Sequence, residues 1–242
     1  MTAERILKNV QDAYLGFDSY SDIGTVERVP PIGESSVEFK TYFVRPMKFR
    51  FEWSDWHPHW GKEHAARQSM IWSDGNHSYS WLLGEVISEP VLRALAGASG
   101  ISSGAALKIL RLLNPEWAGS NPVWYKMQDS RLVNEEVVDN ICCSHLLGKT
   151  LKPDDTEVWI DKYDQTIRRL RINTNMTAEE HVEQWASRLA DFKKWGMPTN
   201  DLPKAPFQPV KYYQEYSYRH VTINEPLSDE LFAFNPSELS SR

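Results

Sequence analysis

Met47-Lys48-Phe49-Arg50-Phe51-Glu52-Trp53-Ser54 alternates without a break, with Met47, Phe49, Phe51 and Trp53 on one side and Lys48, Arg50, Glu52 and Ser54 on the other. Successive side chains of a strand point to opposite faces, so this octet predicts a strand with one dry and one wet face. Period two extends outward from it over about sixty residues, starting at Ser19. Turn signals at Pro30-Pro31-Ile32-Gly33, Arg45-Pro46 and Asp74-Gly75-Asn76 divide that stretch into an antiparallel meander. Ser73-Asp74-Gly75-Asn76, between Met70-Ile71-Trp72 and Tyr79-Ser80-Trp81, reads as a hairpin. Strand character returns at 123–127, 133–147, 156–160, 166–172 and 210–223, the last with Tyr212, Tyr216, Tyr218 and His220 on one side.

Helical spacing interrupts the strands in three places. Ile6, Val10, Ala13, Tyr14 and Phe17 predict an amphipathic helix that stops near Gly16. Between 86 and 117, Ile87, Val91, Ala94 and Leu95 form one stripe, and Leu107, Ile109, Leu110, Leu112 and Leu113 form a second, almost wholly apolar helix. Thr177-Ala178-Glu179-Glu180 is a capping box that opens a helix over 177–195 carrying Val182, Trp185, Ala186, Leu189 and Phe192. The tail, 227–236, reads as extended. No repeat and no linker between two cores is visible, so 1–242 is expected to be one domain. The expected fold is α+β and mainly β. It is one strongly curved antiparallel sheet, an unclosed β-barrel of roughly ten to eleven strands, with helices on its concave face and 86–117 as the plug. A sheet of this size curls into a trough that a few helices need not fill.

Composition narrows the function. The chain has 242 residues, 41% hydrophobic and 25% charged, and a net charge of −6 with no basic block, which argues against a nucleic-acid partner. Ten Trp, ten Tyr and nine Phe must fill a core or line a site. The two cysteines, Cys142 and Cys143, are adjacent and build no disulfide framework. In a strand Cys143 and His145 share a side and Cys142 does not, which favours buried small residues over a thiol nucleophile. The first residues lack the apolar run of a signal peptide. The expected location is therefore cytoplasmic, or the periplasm and cell envelope if a leader has been removed. Trp56-His57-Pro58-His59-Trp60-Gly61-Lys62-Glu63-His64 offers His57, His59 and His64 as candidate metal ligands. A loop of Trp and His packed on the sheet rim is the preferred reading, because closed metal sites declare more ligands at stereotyped spacings. No nucleophile elbow, phosphate-cradling loop or zinc-protease helix occurs, and Asp161 with Asp164 reads as turn chemistry. The chain is expected to be non-enzymatic and to need no cofactor.

Three segments carry a resemblance: Phe39-Lys40-Thr41-Tyr42-Phe43-Val44-Arg45-Pro46-Met47-Lys48-Phe49-Arg50-Phe51, Ile71-Trp72-Ser73-Asp74-Gly75, and Leu231-Phe232-Ala233-Phe234-Asn235-Pro236. In order and spacing the chain resembles the LolA/LolB-type lipoprotein carrier family and its lipid-binding envelope relatives. The resemblance implies an incomplete barrel lidded by helices around an apolar cavity for acyl chains. It also implies a role for the Arg of the Arg-Pro step, here Arg45, in holding the closed, ligand-free state and in transfer, with Phe49 as the following aromatic. The residues alone leave an ordinary turn at Arg45-Pro46 equally available. The long loop over 53–67 and the helix over 177–195 depart from the carriers. The expected ligand-binding residues are Phe39, Phe43, Arg45, Phe49, Phe51, Trp53, Trp81, Ile109 and Leu113. The leading expectation is a carrier of a lipid acyl chain or a lipidated protein. Its alternatives are an envelope protein-interaction or sensor module with a filled cavity, and a metal-dependent enzyme at the histidine loop.

Overall fold

The structure, a computed structural model, describes residues 1–29, 36–56, 67–82, 84–118, 126–150, 155–194 and 208–233. Helix α1, Ala3–Gly16, begins where the Thr2 hydroxyl accepts from the Arg5 amide at 3.4 Å, and it buries Ile6, Leu7, Val10 and Tyr14. Six strands follow: β1 Ser19–Val29, β2 Ser36–Val44, β3 Lys48–Trp56, β4 Arg67–Asp74, β5 Ser78–Leu82 and β6 Glu85–Ser88. Three short helices come next, α2 Val91–Ile101, α3 Ala105–Lys108 and α4 Leu110–Leu113, with a 3₁₀ turn at Pro115–Ala118. Strands β7 Gln128–Val138, β8 Ile141–Lys149, β9 Asp155–Asp161 and β10 Ile167–Met176 precede helix α5, Ala178–Lys194, and strand β11, Val210–Ile223. All eleven strands form one sheet in the order β6-β5-β4-β3-β2-β1-β11-β10-β9-β8-β7. Every pairing is antiparallel, and among the described residues β6 and β7 are edges that do not pair, so the barrel is unclosed as expected.

The opening octet behaves as its alternation demands. Phe49, Phe51 and Trp53 are buried on the inner face, and the register carries that face across Phe43, Phe49, Ser73 and Ser78 and across Thr41, Phe51, Ile71 and Ser80. Ser73 on β4 and Ser78 and Ser80 on β5 take inward positions where α2 packs against both strands, and the buried residues of α2 include the equally small Ala94 and Ala98, so that helix and sheet can approach closely. The capping box of α5 is reciprocal: the Thr177 amide donates to Glu180 Oε2 at 2.8 Å, and the Glu180 amide donates to Thr177 Oγ1 at 3.2 Å.

Four expectations need correction. Ile87 belongs to edge strand β6 and is exposed, because Pro90 caps α2 and biases the residue before it away from helix. The apolar run 107–113 is two short helices broken at Ile109. The span read as one strand over 133–147 is the hairpin β7–β8, turned at Asp139-Asn140, whose φ values of 49° and 65° are the left-handed pair of a two-residue hairpin loop. The tail forms a 3₁₀ turn at Asp229–Phe232 capped by the Ser228 hydroxyl. The strand expected at 123–127 and the histidine loop lie wholly or largely outside the described residues.

Gly24 on β1 is a close approach. A Cβ there would stand 2.2 Å from the Phe39 ring and 2.6 Å from the Ser217 carbonyl oxygen, and the backbone cannot swing aside as a side chain can. Gly24→Ala is therefore expected to destabilise the fold by about 1–3 kcal/mol, read as a lower urea midpoint at unchanged slope.

Candidate functional site

The inner wall of the trough is aromatic. Phe39, Phe43, Phe49, Phe51 and Trp53 stand on β2 and β3 at 0–3% exposure, and Ile109 and Leu113 face into the same core from the plug at 2% and 0%. Trp117, in the turn after α4, wedges between Phe49 at 5.0 Å and Phe43 at 6.0 Å. The hollow expected to exceed its plugs is closed over these rings: α2–α4 and Trp117 fill the space above them. Trp81 is the member of the expected set that the structure places elsewhere. It pairs with Met70 and lies on the outer face, because the serines of β5 occupy the inward positions under α2. There it borders a pocket of about 270 Å³ with Lys40, Glu52, Gln68 and Met70. A second pocket of about 410 Å³ also opens outward, between Lys48, Trp72, Tyr79, Val86 and Phe232.

Arg45 joins three elements. Its Nε donates to the Phe17 carbonyl at 2.8 Å, and its Nη2 donates to the carbonyls of Tyr14 at 3.0 Å and Leu113 at 3.2 Å. Those carbonyls belong to the C-terminal ends of α1 and α4, where backbone acceptors are left over and the helix dipole favours a cation. No basic residue in the last turn of α1 performs this task. The guanidinium also lies 5.5 Å from the Phe43 ring centroid. At the other end of the plug, Ser103 and Gly104 turn in the left-handed region at φ 53° and 84°, and the Ser103 carbonyl accepts from Tyr216 Oη at 2.7 Å and Gln214 Nε2 at 2.8 Å. Two polar anchors thus hold a plug whose underside is apolar.

The inner face also holds a polar cluster that pattern reading missed. Tyr20 Oη donates to Asp22 Oδ2 at 2.7 Å, and Tyr14 Oη accepts from the Ile167 amide at 3.1 Å beside them. Burial raises the Asp22 carboxyl from 3.8 to about 7, although Tyr20 and Thr41 favour its charged form, and burial also pushes the Tyr14, Tyr20 and Tyr218 hydroxyls above the ordinary phenol range. The signal was present: Tyr20, Asp22, Gly24 and Val26 are the inward positions of β1, and a carboxylate among them breaks the dry alternation.

The remaining candidates resolve into structure. Cys142 is exposed and Cys143 buried, on opposite faces, and burial raises the Cys143 thiol to about 11, away from thiolate chemistry. His145 stacks on Trp159 at 4.3 Å and bonds Glu157 and Asn134, a packed outer-face group. Asp161 and Asp164 accept backbone amides of their own turn and share the Arg168 guanidinium at 2.8 and 3.1 Å. Among the described residues no group of three His, Cys, Asp or Glu could hold a metal, and no helix is long and apolar enough to cross a membrane.

No family model and no curated protein matches the sequence. Among solved structures, the chain is similar to LprF from Mycobacterium bovis at 13% identity and a TM-score of 0.49, covering 97% of this chain and 96% of that one. It is also similar to MucA/MucB from Pseudomonas aeruginosa at 13% identity and 0.45, covering 96% and 61%. A LolA superfamily protein from Nitrosomonas europaea is similar at 10% identity and a TM-score of 0.37, covering 97% of this chain and 98% of that one.

Proposed function

We propose that the chain is a non-enzymatic binding or carrier protein that takes a lipid acyl chain, or a comparable apolar group of a lipidated protein, against the inner wall when the plug α2–α4 moves aside. The observation that supports this most directly is Arg45. One cation from the sheet rim ties the ends of α1 and α4 over a wall of aromatic rings: two of its hydrogen bonds go to the carbonyls of Phe17 and Tyr14 at the end of α1, and one, to the Leu113 carbonyl, holds the margin of the plug. An acyl chain then replaces the plug's apolar underside at roughly 0.8 kcal/mol per methylene removed from water, without a specific polar contact. An envelope or periplasmic location belongs to the same proposal.

Loss of the latch shifts the closed form toward the open one. Hydrogen bonds to a charged group contribute about 1.5–3 kcal/mol each, and removing even one such increment raises the open fraction about tenfold or more. Apparent affinity scales with that fraction. Arg45→Met keeps the apolar stem and removes the donors, so Nile red is expected to bind the variant at least about tenfold more tightly than the natural chain. Equal affinity, or no dye binding by either chain in a fluorescence titration, would count against the proposal. A second reading, a protein-interaction module with a permanently filled trough, is favoured by the two pockets on the outer face. It expects no dye uptake by either chain.

A further inference from the structure

Among the buried polar atoms with no partner among the described residues are two that lie side by side inside the trough, Asp22 Oδ1 and Tyr218 Oη, on residues 1% exposed. The Thr41 hydroxyl and amide lie near enough to Asp22 to favour its charge, yet they make no hydrogen bond of full geometry to Oδ1. Buried polar groups are almost always paired, and leaving one unpaired costs about 1–3 kcal/mol, so two on neighbouring strands of one face require an explanation. They are neighbours by register: Gly24 pairs with Tyr218, and Asp22 precedes Gly24 by two positions on the same side of β1. The absent side chain at Gly24 leaves its place to the Phe39 ring, which meets Tyr218 edge-on at 5.7 Å. From Phe39 the rings continue to Phe51 at 5.7 Å and from Phe51 to Trp53 at 5.5 Å. The trough therefore has a polar pole at Asp22 and Tyr218 and an apolar file leading away from it.

We infer that this trough selects single-chain amphiphiles whose head carries an O–H or N–H donor and no negative charge, the head seated between Asp22 and Tyr218 and the chain laid along Phe39, Phe51 and Trp53. The inference rests on the proposed function, since the plug must move for any ligand to enter. An alcohol donates its hydroxyl hydrogen to Asp22 Oδ1 and accepts from the Tyr218 hydroxyl, pairing both atoms at once. An ammonium head donates to Asp22 Oδ1 and to the phenol oxygen. A carboxylate or phosphate head has no donor for Asp22 and brings a like charge to a buried acid, which low local dielectric penalises. The two acceptable heads are separable, because the alcohol uses Tyr218 as a donor and the amine does not.

The test is calorimetric titration of the Arg45→Met chain and the natural chain at pH 8 with decanol, decylamine and decanoate, repeated with Asp22→Asn and Tyr218→Phe. The expected result is binding of decanol and decylamine at least about tenfold tighter than decanoate. Asp22→Asn is expected to erase most of that preference, and Tyr218→Phe to weaken decanol more than decylamine. Equal binding of all three, or a preference unchanged in Asp22→Asn, overturns the head selection and leaves the carrier reading standing. Binding of none to either chain overturns both.

Discussion

Asp22→Asn is expected to make the protein more stable at pH 8 than the natural chain, by roughly 2–4 kcal/mol, and to flatten its stability between pH 4 and 8. The reasoning starts from burial. Asp22 lies on the inner face of β1 under α1, and the groups that act on it are the Tyr20 phenol and Thr41, with the phenols of Tyr14 and Tyr218 close by. None of them carries a positive charge, and the polar groups of Tyr20 and Thr41 offset only part of the lost hydration of the ion. The carboxyl titrates at 3.8 when unfolded and at about 7 when folded, which corresponds to roughly 4 kcal/mol between the two protonation states. Between those values the folded chain holds a proton that the unfolded chain has released. Stability from this group is thus fully present below 3.8, falls as pH rises, and is lost once pH passes 7. Asn keeps the shape, still accepts the Tyr20 hydroxyl and never ionises. Its amide needs new acceptors, which takes back part of the gain. Urea unfolding at several pH values checks this: the difference between the two chains should be small near pH 4 and largest at pH 8. A difference independent of pH would show that Asp22 is not buried as a titrating acid.

The fold was legible where period and burial agree. The 47–54 octet specified both the strand and its inward face, and the two-residue period then carried the register through β2 and β4 to Phe39, Phe43 and Ile71. Trp81 escaped because alternation assigns residues to two sides without saying which side is dry. In β5 the inward side holds Ser78 and Ser80, and only the tertiary approach of α2, whose buried residues include Ala94 and Ala98, explains why small residues lie inside. The helical stripe through Ile87 conflicts with Pro90, a local stop signal in the sequence. The Asp139-Asn140 turn was readable too, since two residues tolerant of positive φ stood between apolar neighbours. The resemblance points to Arg45, but its three acceptors are backbone carbonyls, which no side-chain pattern encodes. The Asp22 and Tyr218 pair depends on two strands far apart in sequence becoming neighbours, and only the β1–β11 register supplies that.

Trp117→Ala is expected to lower stability by about 3–5 kcal/mol and to leave a hole under the plug that accepts small aromatic molecules. The indole is 3% exposed and fills the angle between Phe43 and Phe49, so its removal takes away buried apolar area and leaves a void that the strands, fixed by their ladders, cannot close. Its Nε1 has no hydrogen-bond partner among the described residues. Trp117→Phe therefore discards an unpaired donor along with some volume, and should cost less than about 1.5 kcal/mol. The gap between the two variants separates ring packing from the polar atom. A void lined by Phe43, Phe49 and their neighbours is apolar and stays dry, so added indole is expected to raise the melting temperature of Trp117→Ala in proportion to its occupancy. The same concentration should leave the natural chain unchanged, because the plug and Trp117 already occupy that space. Rescue confined to the Ala variant ties the affinity for apolar ligands to the inner wall. An equal shift in both chains would assign it to the outer-face pockets beside Trp81 or Trp72, and the wall under Arg45 would lose its claim as the binding surface.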